Sequence, residues 1–432
     1  MVEQTAKQLN TPQPKTVEDY NFKWTTIALS EMVDRNLRLE ANVYALEGKI
    51  AREILENCRW QLTTITGESG LATAYHRGRF RRIFVEKSEL PIFQPSQITE
   101  IYPKPSLWIS KQTKTNIDAL KVKKNQVLIS CSGTIGKCAI VGETLDGKIL
   151  SHDLIRITTL SEFDAGYLYA FLKTEIGQTL LQTNNYGAVI SHIEPSHLAE
   201  IPIPNPPPII KTEIHNLVMK SSALRDESNS LIDQAEQLLI NELNLPPIDE
   251  LKVKYFDQTA VFKNFSVKLS ELNQRLEGSF HNPISKSILN HVEQYAAEIT
   301  TLANPQLVKN IILPGRFKRS YVEKGYGVVF FGGKELFQIN PSGEKFLSLA
   351  QHSGRIKSEL TLKENMIMVT CSGTIGKVAI VPKHWEGWTA NQHIIRVVPT
   401  DKTNAGYIFA WLSSDYGKEL IKRFVYVRLL MK

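Results

Sequence analysis

Residues 131–141 read CSGTIGKCAIV and residues 371–381 read CSGTIGKVAIV, so ten of eleven positions agree at an offset of 240 residues. The same offset pairs Arg156 with Arg396, Ala165-Gly166-Tyr167 with Ala405-Gly406-Tyr407, Leu172 with Leu412 and Tyr186 with Tyr426. Upstream the offset becomes 237: Arg38-Leu39-Glu40 pairs with Arg275-Leu276-Glu277, and Gly78-Arg79-Phe80 with Gly315-Arg316-Phe317. A period this long is no solenoid unit; it means two tandem copies of a whole domain. Locally, Val127-Leu128-Ile129 reads as a strand entering a glycine turn, and Ala139-Ile140-Val141 as the strand leaving it. The two glycines fit a hairpin that needs positive φ or close backbone approach.

The copies share turns and apolar runs but differ in two stretches. Residues 45–76 and 88–126 scarcely resemble 282–313 and 325–366. One scaffold with different inserts reads as two readers of two targets; drift of loosely constrained loops after duplication is the alternative. Between the copies, Ile201-Pro202-Ile203-Pro204-Asn205-Pro206-Pro207-Pro208 cannot be helical. From Ile209 to Leu243 there is neither Pro nor Gly, and Ile210, Leu217, Leu224, Leu231 and Leu238 recur every seven residues. Ile214, Ser221, Ser228 and Ala235 fall between them, giving a heptad pattern with mostly small residues at one of its two apolar positions. A rod of roughly 50 Å is expected at ~1.5 Å per residue, its stripe narrow enough to predict a close helix pair rather than a helix lying on a domain surface.

Composition sets outer limits. The 432 residues are 42% hydrophobic and 22% charged, as in ordinary globular domains. The first 20 residues are polar and contain no secretory apolar core, and no run of 18 apolar residues occurs. Cys58, Cys131, Cys138 and Cys371 form no C-x-x-C pair, which suits a reducing cytoplasm and no membrane. Net charge is +7; residues 209–243 carry −3, which leaves +10 on the repeats. That excess permits a polyanionic partner.

Several strings imitate catalytic motifs and fail. GTIGKC (133–138) and GTIGKV (373–378) have two residues between their glycines where a phosphate loop needs four, and no Ser or Thr after Lys. Asn205-Pro206-Pro207-Pro208 lacks the aromatic that would stack on a flipped base. The histidines show no metal spacing, so neither cofactor nor metal is expected, and nothing points to catalysis by this chain. Basic clusters are the stronger candidates, since arginine forks onto phosphates and guanine edges. They comprise Arg77, Arg79, Arg81 and Arg82 in the first copy, and Arg316, Lys318, Arg319 and Arg355 in the second. Lys137 and Lys377 leave the repeated turns; Lys111 and Lys114 lie in a polar stretch, and Asn184-Asn185-Tyr186 in another. All are candidate DNA contacts, with a solvated loop the alternative for each.

SGTIGK in both copies, Arg-Leu-Glu at 38–40 and 275–277, and IPIPNPPP entering a long heptad helix together resemble the specificity subunit of type I restriction–modification systems. The resemblance runs over roughly residues 22–426. It implies an α+β chain of two α/β target-recognition domains, each reading half of a split site in double-stranded DNA. It also implies partners, namely methyltransferase and restriction subunits, that do the chemistry. The expected layout is a flexible tail at 1–20, a first domain at 21–208, a coiled-coil helix at 209–247 and a second domain at 248–432. Only VRLLMK follows Tyr426, against 57 residues from Tyr186 to Leu243. The second domain is therefore expected to be truncated and to lack its helix, leaving 209–243 to pair with another copy of the chain as a homodimer, the first choice, or else with a fragment carrying the missing half or with the methyltransferase subunit. A non-functional truncated copy, or the DNA-reading part of a nuclease–methyltransferase, are the alternatives.

Overall fold

A computed structural model describes residues 26–33, 35, 37–187, 191–257, 263–339, 341 and 345–424. The expected tail 1–20, Tyr426 and the residues after it lie outside that set. The chain divides into two compact units, 1–99 with 103–224, and 100–102 with 225–432.

Among its described residues the first unit holds ten strands: β1 (Leu62–Thr64), β2 (Ala72–Tyr75), β3 (Phe84–Val85), β4 (Pro91–Phe93), β5 (Leu107–Ile109), β6 (Val127–Ser130), β7 (Cys138–Ile140), β8 (Ile149–Leu150), β9 (Leu154–Thr159) and β10 (Pro202–Pro204). They form sheets of order β2-β9-β6-β7 and β3-β5-β4-β8, with β1 pairing β10. Strand alternation explains the core. Val127, Ile129, Ile155 and Ile157 face one apolar cluster, while Leu128 and Leu154 face another. Helices α1 (Leu46–Glu56), α2 (Glu162–Lys173) and α3 (Glu175–Thr183) supply more of the first unit's layer.

The second unit repeats this plan. Its strands are β11 (Val308–Ile312), β12 (Tyr321–Val322), β13 (Gly327–Phe331), β14 (Lys345–Ser348), β15 (Ile367–Thr370), β16 (Val378–Ile380), β17 (Thr389–Ala390) and β18 (Ile394–Pro399). The sheet orders are β11-β18-β15-β16 and β12-β14-β13-β17, the same permutation as in the first unit. The fold is thus mixed α/β in two tandem copies joined by a long helix.

That helix, α4, runs Pro208–Glu242, 35 residues. Proline at its first position leaves no extra donor unsatisfied. The division between units falls within it, because its two halves are spent differently. Ile214, Val218 and Met219 pack on the first unit's core, Lys211 pairs with Asp164 at 3.0 Å, and the Gly166 N–H donates to His215 Nδ1. Farther along, Ile240 and Leu243 pack on the second unit's cluster around Leu245, Leu251 and Tyr416. One face stays uncovered: Leu217, Leu224, Leu231 and Leu238 are 63, 57, 56 and 60% exposed. Ser221 and Ser228 are exposed with them, while Ala235 and Ile210 are half-buried. Ile214, expected to pair with another helix, is instead used in the first unit's packing.

In the second unit, α5 (Ile248–Tyr255) and α6 (Pro283–Tyr295) precede the sheets, and α7 (Lys402–Ser413) and α8 (Asp415–Lys422) follow them. No described helix is long and apolar enough to cross a membrane.

Candidate nucleic-acid interface

The repeated string is a hairpin in both units. β6 pairs β7 with Ile129 opposite Cys138, and β15 pairs β16 with Val369 opposite Val378. Gly133 and Gly136 have φ of 72° and 88°, and Gly373 and Gly376 of 75° and 81°. Only glycine adopts such values without strain. A hydroxyl closes each turn: Ser130 Oγ donates to Thr134 O at 2.6 Å and accepts from Lys137 N, as Thr370 Oγ1 does with Thr374 O and Lys377 N. The hydroxyl residue before each turn, Ser130 or Thr370, is therefore structural.

Beneath each hairpin lies a fully buried arginine. Arg156 donates to the carbonyls of Leu154, Leu120, Leu150 and Ser151 at 3.1–3.3 Å. Arg396 donates to those of Asn391, Ile394 and Ala390. Desolvation pulls the Arg396 pKa down to about 10 and also lowers that of Arg156. They hold main chain and do not reach solvent, a role that their recurrence in the sequence did not disclose.

The basic clusters follow the edge strands β2 and β11. A cavity of about 220 Å³ in the first unit is lined by His76, Arg77 and Arg79, by Cys131 and Ser132 of the hairpin, and by His152, Asp153, Tyr186 and Glu194. The structure thus brings two of the expected arginines and Tyr186 to one place. Arg82 lies 3.9 Å from Asp153, and Arg81 is exposed. The polar stretch folds beside them, since Ser110 N donates to Ile83 O and Ile83 N to Thr113 Oγ1. Lys111, on that stretch, pairs with Glu89 at the surface, and Lys114 is exposed.

His152, Asp153 and Glu194 were not singled out from the sequence. His152 Nε2 is 3.3 Å from Asp153 Oδ1, and its ring lies edge-on to Phe80. Burial lowers its pKa; Asp153 opposes that shift, while Arg82 and Arg79 add to it. Tyr186 donates to Glu194 Oε1 at 2.6 Å, and that bond to a carboxylate pushes its pKa up to about 12.

Asn184 and Asn185 correct an expectation. Both are buried. Asn184 Oδ1 accepts from Arg38 Nη1 and its Nδ2 donates to His197 O; Asn185 Oδ1 accepts from Asn42 Nδ2. With their amide atoms spent inside the unit, neither offers an edge to a base. Arg38 of the repeated Arg-Leu-Glu is the residue that holds them, donating also to Asn185 O.

In the second unit Arg316 and Lys318 are exposed. Arg319 donates to Gln392 Oε1 at 3.3 Å and lies over the Phe330 ring. Arg355 donates to Gly315 O at 2.8 Å, pairs with Glu359 and covers Phe317, which ties it to the backbone of the Gly-Arg-Phe turn. Lys377 stands 5.0 Å over the Phe337 ring. Both units so present arginines beside a rigid glycine hairpin, an arrangement that can grip phosphates and reach base edges. Among the described residues no cluster of three or more metal-ligating side chains occurs.

Comparison with known proteins gives one family. The type I restriction modification DNA specificity domain matches residues 80–223. No curated protein matches the chain. Among solved structures, the type I restriction–modification S subunit from M. genitalium is 14% identical, with a TM-score of 0.27, over 85% of this chain and 79% of that one. The HsdS subunit from Thermoanaerobacter tengcongensis is 14% identical with a TM-score of 0.25, over 84% of each chain. At those scores neither structural likeness carries an argument.

Proposed function

We propose that this chain, whose residues 80–223 match the type I restriction modification DNA specificity domain, is the DNA-reading subunit of a type I restriction–modification complex. Each unit reads one half of a split double-stranded site, and methyltransferase and restriction subunits act where it binds. The observation that supports this best is the repetition of one arrangement: a glycine hairpin stiffened by a hydroxyl and a buried arginine, with further arginines beside it, built twice with different inserts. A rigid frame carrying variable loops suits reading of two unlike half-sites.

Within the frame the roles divide. Arg79, Arg81 and Lys114, and Arg316 and Lys318 opposite them in the repeat, supply phosphate contacts that position the duplex. In the first unit Arg77 and Tyr186 line the cavity where a base edge is read, and Arg82, Lys111 and Lys137 border it; in the second unit Arg319, Arg355 and Lys377 take the bordering roles. The exposed leucine face of α4 pairs with another helix, in a second copy of this chain or in a partner. The rim of the face suits antiparallel self-pairing, which sets Lys220 of each copy opposite Glu227 of the other.

The test is DNA binding by the purified chain with its methyltransferase partner. Arg81→Ala should weaken binding on all sequences alike and lower the slope of log K against log salt by about one. Retention of affinity and slope in a combined Arg79→Ala, Arg81→Ala, Arg316→Ala variant would refute the assigned interface.

A further inference from the structure

Between β8 and β9 of the first unit stands the tripeptide Ser151-His152-Asp153, and between β17 and β18 of the second stands Asn391-Gln392-His393. Main chain holds both alike. Ser151 N donates to Phe93 O and Asn391 N to Phe331 O, each at 2.9 Å. Cys131 N, at the start of one hairpin turn, donates to Asp153 O at 3.2 Å, and Cys371 N to His393 O at 3.0 Å. The buried arginines bind the opening carbonyls, Arg156 that of Ser151 and Arg396 that of Asn391. Even the local cap recurs: Asp153 N donates to Ser151 Oγ, and His393 N to Asn391 Oδ1. One backbone shape thus carries two different sets of side chains.

Their hydrogen-bonding chemistry is opposite at the third position. Asp153 lines the first unit's cavity with Arg77 and Arg79, and its side chain is 27% exposed. Ser151 Oγ lies 3.1 Å from its Oδ2 and His152 Nε2 3.3 Å from its Oδ1. Each of those contacts uses one lone pair, and a carboxylate has about four, so Asp153 still accepts and has no hydrogen to give. In the second unit the donors fix the orientation. An arginine can only donate, so the atom 3.3 Å from Arg319 is the oxygen of Gln392. Gln392 Nε2 then faces His393 Nε2 at 3.2 Å, and an amide nitrogen also only donates. His393 Nε2 therefore accepts, the ring proton sits on Nδ1, and this half-buried residue presents an N–H donor.

We infer that Asp153 and His393 are specificity-determining residues at one equivalent position of the two readers. On the strand it faces in the major groove, Asp153 selects a base with an exocyclic amine, cytosine or adenine. His393 selects one with a keto oxygen, guanine or thymine. The inference rests on the proposed DNA-reading function and adds the base-edge chemistry that each unit prefers there. Arg82 and Arg319 stand beside the tripeptide in both units, so they do not set the difference; the third side chain does.

The experiment selects bound duplexes from a randomised pool with the whole chain in complex with its methyltransferase partner. Asp153→Asn gives the side chain a donor as well as an acceptor. It should lower the preference for amino over keto bases about tenfold at one position of one half-site, leaving the other half-site unchanged. His393→Asp should turn one position of the other half-site from guanine or thymine to cytosine or adenine. The untouched half-site reports folding in each protein, and the two variants lie in separate units, so poor folding of one leaves the other decisive. A parent with a two-part site whose variants select the same bases would overturn the inference. So would weakening by the same factor on every sequence, which would make these side chains structural. A parent that binds without sequence preference would instead remove the DNA-reading function itself, and this inference with it.

Discussion

Gly166 and Gly406 occupy the same place in the two repeats, yet the same substitution should act on them in opposite directions. A Cβ at Gly166 would stand 2.7 Å from His215 Cα and 3.0 Å from its carbonyl oxygen, both backbone of α4. At Gly406 a Cβ would meet nothing within 4 Å. In an exposed helix interior, Gly→Ala gains about 1 kcal/mol from reduced backbone entropy, so Gly406→Ala should stabilise the second unit by about that amount. At Gly166 the same gain is opposed by overpacking, typically about 1–3 kcal/mol, because the obstructing atoms are main chain of a long helix and cannot rotate away. The two variants should therefore differ by about 1–3 kcal/mol. Urea titration with helix-specific hydrogen exchange reads both effects, and faster exchange in 209–219 is expected for Gly166→Ala alone. Equal shifts in the two variants would mean that α4 does not press on α2 as described.

Further outcomes follow from the same geometry. Arg156→Met leaves four buried carbonyls without their donor; at about 1–3 kcal/mol for each unsatisfied group, a loss of about 4 kcal/mol or more is expected, and Arg156→Lys should not restore it, since an ammonium cannot span them. Calorimetry of the three proteins decides, and full stability in the lysine variant would refute the planar-grip account. His152 has a folded pKa below its unfolded value, so its neutral form contributes stability that is complete above about pH 6.5 and is lost as pH falls through the lower folded value. His152→Asn should flatten the decline of stability below pH 6.5, and an unchanged pH profile would remove His152 as a cause. Leu224→Glu with Leu231→Glu places charge on the exposed α4 face; sedimentation should show loss of self-association with the fold intact, and identical sedimentation of the variant and the parent would refute self-pairing.

The parts of the fold that recur were the legible ones. A stretch identical at ten of eleven positions fixes a hairpin because glycines at positive φ and a hydroxyl staple are local requirements. The long helix was legible for the same reason, by absence of breakers and a seven-residue repeat. Long-range burial was not. Asn184-Asn185 reads as a solvated polar loop, and only Arg38, 146 residues away, turns it inward. Ile214 belongs to the heptad by spacing, but the first unit claims it. The adjacent His152 and Asp153 meet Glu194 around one cavity from two separate loops, without a shared motif to announce them.

Arg156 grips the backbone oxygen of Leu120, and residue 120 lies in the stretch 88–126, where the copies differ most. Because the guanidinium binds a carbonyl, which every amino acid provides, this anchor is blind to the side chain at that position. The parallel pairing of Ile92 and Phe93 with Ile149 and Leu150 is likewise made by main chain. The variable insert is fixed to the frame by main-chain contacts and by a few buried apolar side chains such as Ile92 and Leu120, so its outward side chains are free to diverge without loosening the socket.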